Sequence, residues 1–295
     1  MSHRQAMCST PPLRPGKLRR VVEFPLTRIV VAGIPLLALM AATDQVIVAL
    51  GLVPGAIASS LVALAGSLLG VALYAACVWR IERRSLAELS GHGAAGELGV
   101  GFAIGLGLFV VTAGLLVVVG VGRIERGEGL AAAAPWLVWV TATAGFEEIL
   151  FRGVMFRLLE QWLGSWIALA LSAGLFGGLH AANAHASAAS TLAIAVEAGV
   201  LLAAAYMASR RLWLPIALHA GWNLAQLGLL AVQRPGHVTR GLWSSRYAGP
   251  TWLIGGDWGP EISIVAVALC LAAAAALLEF ARRRGRFVPP PWARR

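Results

Sequence analysis

Apolar residues dominate eight long stretches of the chain, and short polar or basic segments separate these stretches. They cover approximately residues 26–52, 55–79, 97–121, 130–158, 162–182, 187–208, 212–232 and 259–281. Each is long enough for a helix across a hydrocarbon core of roughly 30 Å, which takes about 20 residues. A helix is favoured over a strand because it satisfies its own backbone hydrogen bonds in lipid. The pattern predicts an all-α polytopic membrane protein with about eight transmembrane helices.

The composition agrees with this prediction and excludes a soluble nucleic-acid-binding protein. Of the 295 residues, 58% are hydrophobic and 13% are charged, and the mean hydropathy is +0.75. The formal net charge of +10 is typical of proteins that bind nucleic acid, but here the basic residues flank the apolar stretches. Such flanking is what membrane topology requires, so nucleic acid is not expected among the partners.

Lys and Arg also predict the orientation in the membrane. With the N-terminus inside, 19 of the 24 Lys and Arg residues fall on the cytoplasmic side, and the remaining five fall outside. We therefore expect both termini in the cytoplasm, and the Ala- and Arg-rich composition indicates a bacterial inner membrane. The predicted organisation is a basic tail (residues 1–25), a membrane domain (26–284) and a Pro- and Arg-rich tail (285–295).

Three pairs of glycines have the spacing that lets helices pack closely in a membrane. They are Gly66/Gly70, Gly101/Gly105 and Gly174/Gly178. Small residues four apart lie on one helix face and allow two backbones to approach. Each pair predicts a close helix–helix contact.

The fourth apolar stretch contains the segment GFEEILFRG, with Glu147, Glu148 and Arg152. An ionised side chain at the centre of a bilayer costs on the order of 3 kcal/mol, so three charges need partners or a function. Glu148 and Arg152 are four residues apart, share a helix face and can pair. Glu147 points about 100° away. A structural ion pair with one additional acid is the simplest interpretation of this segment alone.

Two other apolar stretches carry polar groups that suit hydrolysis. The fifth ends in LFGGLHAANAHAS and contains His180, and the seventh contains LHAGWNLAQ, with His219 and Asn223 on one helix face. A lone histidine in a helix is more often a packing residue than a catalyst. Glu and His can accept a proton, however, and His and Asn can donate to a developing oxyanion. Three helices with such groups favour a single site that activates water.

The three segments together resemble the CAAX prenyl protease type 2 family, which includes the bacterial CAAX-protease and bacteriocin-processing (CPBP, or abortive-infection) membrane proteins. EEILFR, FGGLH and HAGWN occur in the family's order, and the resemblance covers about residues 130–230. It implies an intramembrane endopeptidase with an eight-helix core and a hydrated active-site cavity. Its substrates would be membrane-associated peptides or proteins in the lipid bilayer.

The resemblance also implies a role for each motif residue. Glu147 would act with His180 on the attacking water, and Glu148 and Arg152 would position the first motif. His219 and Asn223 would stabilise the oxyanion or complete a metal shell. The sequence alone does not distinguish Glu147 from Glu148.

The same residues leave the use of a metal open. Glu147, His180 and His219 could provide three ligands for a catalytic zinc. The chain has no HExxH segment, and these ligands would come from three different helices. Water activation by Glu and His needs no metal, and we favour that mechanism.

Two other functions fit the same residues. A proton-relay transporter would use intramembrane Glu, His and Arg, although it should also show repeated halves or broken helices. A catalytically silent immunity or binding protein could keep the same fold. Two further intramembrane acids, Glu197 and Asp44, match no motif. A buried hydrogen bond to Ser, Trp or backbone is the simplest interpretation of both, and a contact of Glu197 with His180 or His219 is the alternative.

Overall fold

Eight helical runs correspond one to one with the eight apolar stretches of the sequence. The computed structural model describes residues 21–183, 185–234 and 239–293, so most of the predicted N-terminal tail and the last two residues lie outside the described part. Within it the helices are α1 (Pro25–Ala49), α2 (Ile57–Glu82), α3 (Ala94–Val118), α4 (Leu130–Glu148, continued by Ile149–Phe156 and Arg157–Leu163), α5 (Ser165–His180), α6 (Ala188–Ser209), α7 (Trp213–Asn223, continued by Leu224–Leu229) and α8 (Ile264–Arg283). Short helical turns occupy Ala87–Leu89, Thr251–Ile254, Gly256–Trp258, Pro260–Ile262 and Pro291–Ala293.

Five of these helices are long and apolar enough to cross a membrane. Within the described part of the chain they are α1, α2, α3, α6 and α8. The helices that carry the predicted site residues are outside this group. α5 has 16 residues, and α4 and α7 contain the polar motif residues, which lower their hydropathy. The structure agrees with a polytopic membrane protein, and the total of eight spans stays a prediction.

The expectation of an all-α fold needs one correction. Strands β1 (Gly122–Arg126) and β2 (Trp243–Tyr247) form a two-stranded antiparallel sheet, with Gly122 opposite Tyr247 and Arg126 opposite Trp243. Both strands lie in polar segments between apolar stretches, where the backbone is not helical and needs hydrogen-bond partners. The sheet joins two loops that the charge distribution assigns to the outer face.

Ion pairs connect the helix ends that are predicted to face the cytoplasm. Arg157 of α4 donates to both carboxylate oxygens of Glu82, at the end of α2, at 2.8 and 2.5 Å. Arg210, which follows α6, donates to Glu160 of α4. Long-range contacts of this kind hold α2, α4 and α6 together at one face of the bundle.

Glycines allow α3 and α7 to touch along their backbones. A Cβ at Gly101 would lie 2.5 Å from the Leu214 carbonyl oxygen, and a Cβ at Gly105 would lie 1.8 Å from the Leu218 carbonyl oxygen. Gly221 makes the reciprocal approach, because its Cβ would come within 2.4 Å of a carbonyl oxygen of α3. The close contact predicted from the Gly101/Gly105 spacing is confirmed. It fixes the helix that carries the third motif.

The other two glycine pairs differ from each other. A Cβ at Gly66 or Gly70 would approach a neighbouring side chain to 2.4 or 2.8 Å, so this pair also packs closely. A Cβ at Gly174 or Gly178 would meet nothing within 4 Å, and the prediction for this pair is wrong. The packing glycine of α5 is Gly177, because this position faces α6 and its Cβ would lie 2.5 Å from a carbonyl oxygen there.

Replacement of Gly105 by alanine should destabilise the protein, because the new methyl group would overlap the backbone of α7. We expect the free energy of unfolding to fall by roughly 1–3 kcal/mol, the usual range for overpacking, with a lower midpoint of thermal unfolding in detergent. Gly107→Ala is the matched control, since a Cβ there meets nothing within 4 Å. Its midpoint should stay unchanged or rise slightly. Equal midpoints for the two variants would contradict this description of the contact.

Candidate active site

Four of the six predicted site residues line one cavity. Its volume is about 120 Å³, and its wall includes Glu147 of α4, His180 of α5, and His219 and Asn223 of α7. α6 and the segment before α8 provide other parts of the wall. The four predicted residues, which are up to 76 positions apart in the chain, thus face the same small volume.

The helix boundaries explain how His180 reaches the depth of Glu147. The apolar pattern ends the fourth stretch at residue 158 and begins the fifth at 162, which would leave His180 well above Glu147. In the structure α4 continues to Leu163 and α5 begins only at Ser165. At 1.5 Å per residue, Glu147 then lies about 24 Å and His180 about 22 Å from those helix ends. The two side chains therefore meet at a similar level.

Glu148 and Arg152 form the buried ion pair that their spacing predicts. Arg152 Nη1 donates to Glu148 Oε1 at 2.7 Å, and the two side chains are 1% and 0% exposed. The same carboxylate oxygen accepts a hydrogen bond from Nδ1 of His219 at 3.1 Å. A charged hydrogen-bond network behind the cavity wall therefore links α4 to α7.

Arg152 extends this network to two more helices. Its Nη2 donates to the carbonyl oxygens of Ala198 and Gly199 in α6, at 3.3 and 3.2 Å. The guanidinium carbon lies 4.7 Å from the centroid of the Phe176 ring of α5, within the range of a cation–π contact. One buried guanidinium thereby contacts α5 and α6 directly, and it reaches α7 through Glu148.

The two adjacent glutamates occupy different environments, because successive side chains of a helix point about 100° apart. Glu148 is fully buried and is bound by Arg152 and His219. Glu147 is partly exposed, lines the cavity and has no side-chain hydrogen bond to another described residue. Of these two carboxylates, only Glu147 is in a position to meet a ligand in the cavity.

The hydrogen bonds of the two histidines define which nitrogen is available in the cavity. His180 Nδ1 lies 2.8 Å from the Phe176 carbonyl oxygen, so this nitrogen carries a proton and donates it. Its Nε2 then presents a lone pair. His219 Nδ1 donates to the Glu148 carboxylate, which stabilises a positive charge on the ring. In the protonated ring Nε2 is also a donor, so the two histidines can have opposite functions.

A second cavity meets the first at Glu147 and His180. Its volume is about 310 Å³, and residues of α1, α2, α4 and α5 line it. Asp44 of α1 belongs to its wall, is exposed and has no hydrogen bond to another described residue. The buried hydrogen bond expected for Asp44 is therefore absent from the described part of the chain. Glu147 and His180 form the boundary between two spaces, one on each side.

Two further acids in the first cavity were not identified as site residues from the sequence. Glu197 of α6 lines the cavity and is 3% exposed, and its Oε2 has no hydrogen-bond partner among the described residues. Oε2 of Glu197 therefore lacks, within the described part of the chain, the buried hydrogen bond expected for this residue from the sequence. Glu261 lines the same cavity from the segment before α8, and Arg234 donates to it at 3.1 Å. The only sequence signal for either residue is an acidic side chain inside a predicted apolar stretch.

The donor set does not fit the zinc site considered from the sequence. No group of three or more His, Cys, Asp or Glu side chains within residues 21–183, 185–234 and 239–293 is arranged to hold a metal ion. Glu147, His180 and His219 line one cavity but do not form such a group.

Arg152→Met should destabilise the protein strongly, because it leaves the buried Glu148 carboxylate without its counter-charge. We expect a loss of about 3–5 kcal/mol in the free energy of unfolding, measured by denaturation in detergent. Arg283→Met is the control. Arg283 is 75% exposed in its pair with Glu279, and such a solvent-screened pair contributes little to stability. Similar losses in the free energy of unfolding of the two variants would show that the buried pair of Arg152 with Glu148 does not stabilise the protein more than an exposed pair does.

A comparison with known families finds a match over the segment that contains the three motifs. Residues 129–225 match the family model described as "Type II CAAX prenyl endopeptidase Rce1-like". No curated protein and no solved structure matches the chain. The matched segment contains all six motif residues, from Glu147 to Asn223. The match supports the family expected from the three motifs, and residues 129–225 of this chain are similar to the Rce1-like type II CAAX prenyl endopeptidases.

Proposed function

We propose that this protein is an intramembrane endopeptidase that hydrolyses peptide bonds of membrane-associated peptides or proteins. The observation that carries the proposal is the convergence of Glu147, His180, His219 and Asn223 on one cavity, each with an atom that no other described residue binds. The family match supports the reaction class. We also propose that both termini face the cytoplasm, as the distribution of Lys and Arg indicates.

Glu147 and His180 would activate the attacking water. The Glu147 carboxylate accepts one proton of the water, while the lone pair on His180 Nε2 accepts a hydrogen bond from the other. The water oxygen then bonds to the carbonyl carbon of the substrate. Glu147 afterwards returns its proton to the nitrogen of the leaving amine as the C–N bond breaks. The hydrogen bond from His180 Nδ1 to the Phe176 carbonyl keeps the ring in the required tautomer.

His219 and Asn223 would stabilise the oxyanion of the tetrahedral intermediate. With His219 Nδ1 bound to Glu148, the protonated ring presents Nε2–H to the cavity. The Asn223 side chain has no hydrogen bond to another described residue, so its NH₂ group can donate as well. Donors fixed before the reaction stabilise a developing charge without reorganisation. Glu148 and Arg152 act as positioning residues because they hold His219.

The two cavities favour an endopeptidase over an exopeptidase. Cleavage inside a chain requires room for the peptide on both sides of the scissile bond. Glu147 and His180 border a space of about 120 Å³ on one side and of about 310 Å³ on the other. A substrate that passes between these residues could occupy both spaces during cleavage.

The central test is proteolysis of a peptide library by the purified protein in detergent. Glu147→Gln should abolish cleavage while peptide binding and thermal stability stay near wild type, because Glu147 has no structural partner among the described residues. Glu148→Gln should also reduce cleavage, but with a lower midpoint of unfolding, because it weakens the bonds to Arg152 and His219. His180→Ala should behave as Glu147→Gln does. Unchanged cleavage by Glu147→Gln would exclude this mechanism.

Loss of the Asn223 amide should affect the chemical step more than binding. We expect Asn223→Ala to lower kcat by about 100- to 1000-fold, the usual effect of removing one oxyanion donor, with KM changed little. Steady-state kinetics on one cleaved peptide measure both constants. A rise in KM at constant kcat would instead assign Asn223 to substrate binding.

A chelator distinguishes the two chemistries that the family allows. The proposed mechanism uses only side chains, so cleavage should persist after treatment with a chelator and dialysis. Activity that disappears on chelation and returns with zinc would overturn the metal-free mechanism and leave the endopeptidase function in place. The Glu147→Gln variant, treated identically, controls for contaminating proteases.

A further inference from the structure

The wall of the first cavity carries two acidic side chains, Glu197 and Glu261, that the proposed reaction does not use. Three carboxylates line it, on Glu147, Glu197 and Glu261, and no Lys or Arg is among its described lining residues. In a site of low dielectric, an acidic side chain without a counter-charge favours a cationic partner. The cavity is therefore electrostatically suited to a positively charged part of a ligand.

Glu197 is the carboxylate without an assigned partner. Arg234 donates to Glu261 at 3.1 Å, and Glu147 is the proposed base. Glu197 is 97% buried, forms no ion pair with another described residue, and its Oε2 has no hydrogen bond in the described part of the chain. A buried polar group without a partner is unfavourable for folding, so such a group in a cavity points to a ligand that completes it.

The backbone around Glu197 is fixed close to the proposed catalytic residues. The next residue, Ala198, accepts a hydrogen bond from Arg152 through its carbonyl oxygen at 3.3 Å. Gly199 packs directly on α5, because a Cβ there would lie 2.8 Å from the Cα of Ala173. Glu197 itself lies in a π-helical stretch, Ala195–Val200. Stretches of this kind frequently occur at functional sites, where they redirect side chains.

Aromatic side chains complete the cavity wall beside these acids. Phe176, Trp222 and Trp258 all line it. Aromatic faces pack well against the aliphatic part of Lys or Arg and attract the charged end. An acidic group among aromatic rings is a suitable receptor for a long cationic side chain.

We propose that Glu197 is the specificity-determining residue of a subsite that binds a lysine or arginine side chain of the peptide substrate. The inference rests on the proposed function, because the subsite lies in the same cavity as Glu147 and His180. The carboxylate of Glu197 accepts hydrogen bonds from the ammonium or guanidinium group, and a neutral side chain of equal length leaves it unpaired. Charge therefore decides which peptides are cleaved efficiently.

The test uses pairs of peptides that differ only in lysine or norleucine at one position. The starting sequence is the library peptide that is cleaved best. At each position around its cleaved bond, one peptide with lysine and one with norleucine are made, and kcat/KM is measured for both. At one position the wild-type protein should prefer lysine by about 10- to 100-fold, as expected for one charge-assisted hydrogen bond. Glu197→Gln, which keeps the shape of the side chain, should abolish this preference and cleave the norleucine peptide at a similar rate.

Asp44→Asn is the matched control, because Asp44 is an acid of the second cavity only. It should keep the preference for lysine. A preference that persists in Glu197→Gln, or is equally lost in Asp44→Asn, would overturn the assignment. So would a wild-type protein that cleaves lysine and norleucine peptides equally well at every position. Because the measurement is a ratio within one variant, a purely structural role of Glu197 would not change it.

A binding experiment separates failure of the subsite from failure of the endopeptidase function. The experiment uses fluorescently labelled pairs of library peptides that differ only in lysine or norleucine at one position. Both peptides of a pair are titrated with Glu147→Gln and with the double variant Glu147→Gln/Glu197→Gln. Tighter binding of the lysine peptide by the first protein but not the second supports the subsite even if the wild-type protein cleaves nothing. Equal affinities of both peptides for Glu147→Gln would overturn the subsite, whatever the outcome of the cleavage assays.

Discussion

The buried pair of Glu148 and Arg152 is the interaction on which the rest of the site depends. A guanidinium with 1% exposure in an apolar bundle must be neutralised and hydrogen-bonded, since an unpaired charge there is strongly unfavourable. One carboxylate of α4, two carbonyl oxygens of α6 and one aromatic ring of α5 serve its two terminal nitrogens and its planar face, while Nε has no hydrogen-bond partner among the described residues. The helices that carry the reactive groups are therefore held by one cation. Its removal would disturb the relative positions of all of them.

The same pair also gives two chemically identical side chains different properties. His219 is hydrogen-bonded to the carboxylate that Arg152 neutralises, whereas the hydrogen bond of the His180 ring within the described part of the chain is to a main-chain carbonyl. A ring beside a carboxylate is stabilised as a cation, whereas a ring beside a carbonyl is merely fixed in one tautomer. One histidine is thus suited to donate to developing negative charge and the other to accept a hydrogen bond. The division of roles follows from the partners of the rings rather than from the residues themselves.

Much of this arrangement could be predicted from the sequence because it depends on periodicity. The eight apolar stretches predicted eight helical runs, and the four-residue spacing of Glu148 and Arg152 predicted their ion pair. The position of His180 could not be predicted, because α5 begins later and α4 ends later than hydropathy indicates. The π-helical stretches Ile149–Phe156 and Ala195–Val200 have no sequence signal, although they determine which side chains face the cavity.

The tertiary part of the site was the least predictable. Glu197 and Glu261 are far apart in the chain, and only the packing of α6 against the segment before α8 brings both to one cavity. The sheet of β1 and β2 depends on pairing between distant loops in the same way. Nothing in the local sequence of either loop contains that information.

Because α7 packs against the backbone of α3, the segment that matches the family model depends on a helix outside it. Residues 129–225 carry all the motif residues, yet Gly221 and Leu218 rest against the backbone of α3, which lies before that segment. The matched segment is therefore not an autonomous module that could be excised, grafted or exchanged between proteins. Any chimera that keeps its chemistry must also transplant a helix that contributes no reactive group. The contribution of α3 is the space that its glycines leave for a neighbouring backbone, and not a group that takes part in the reaction.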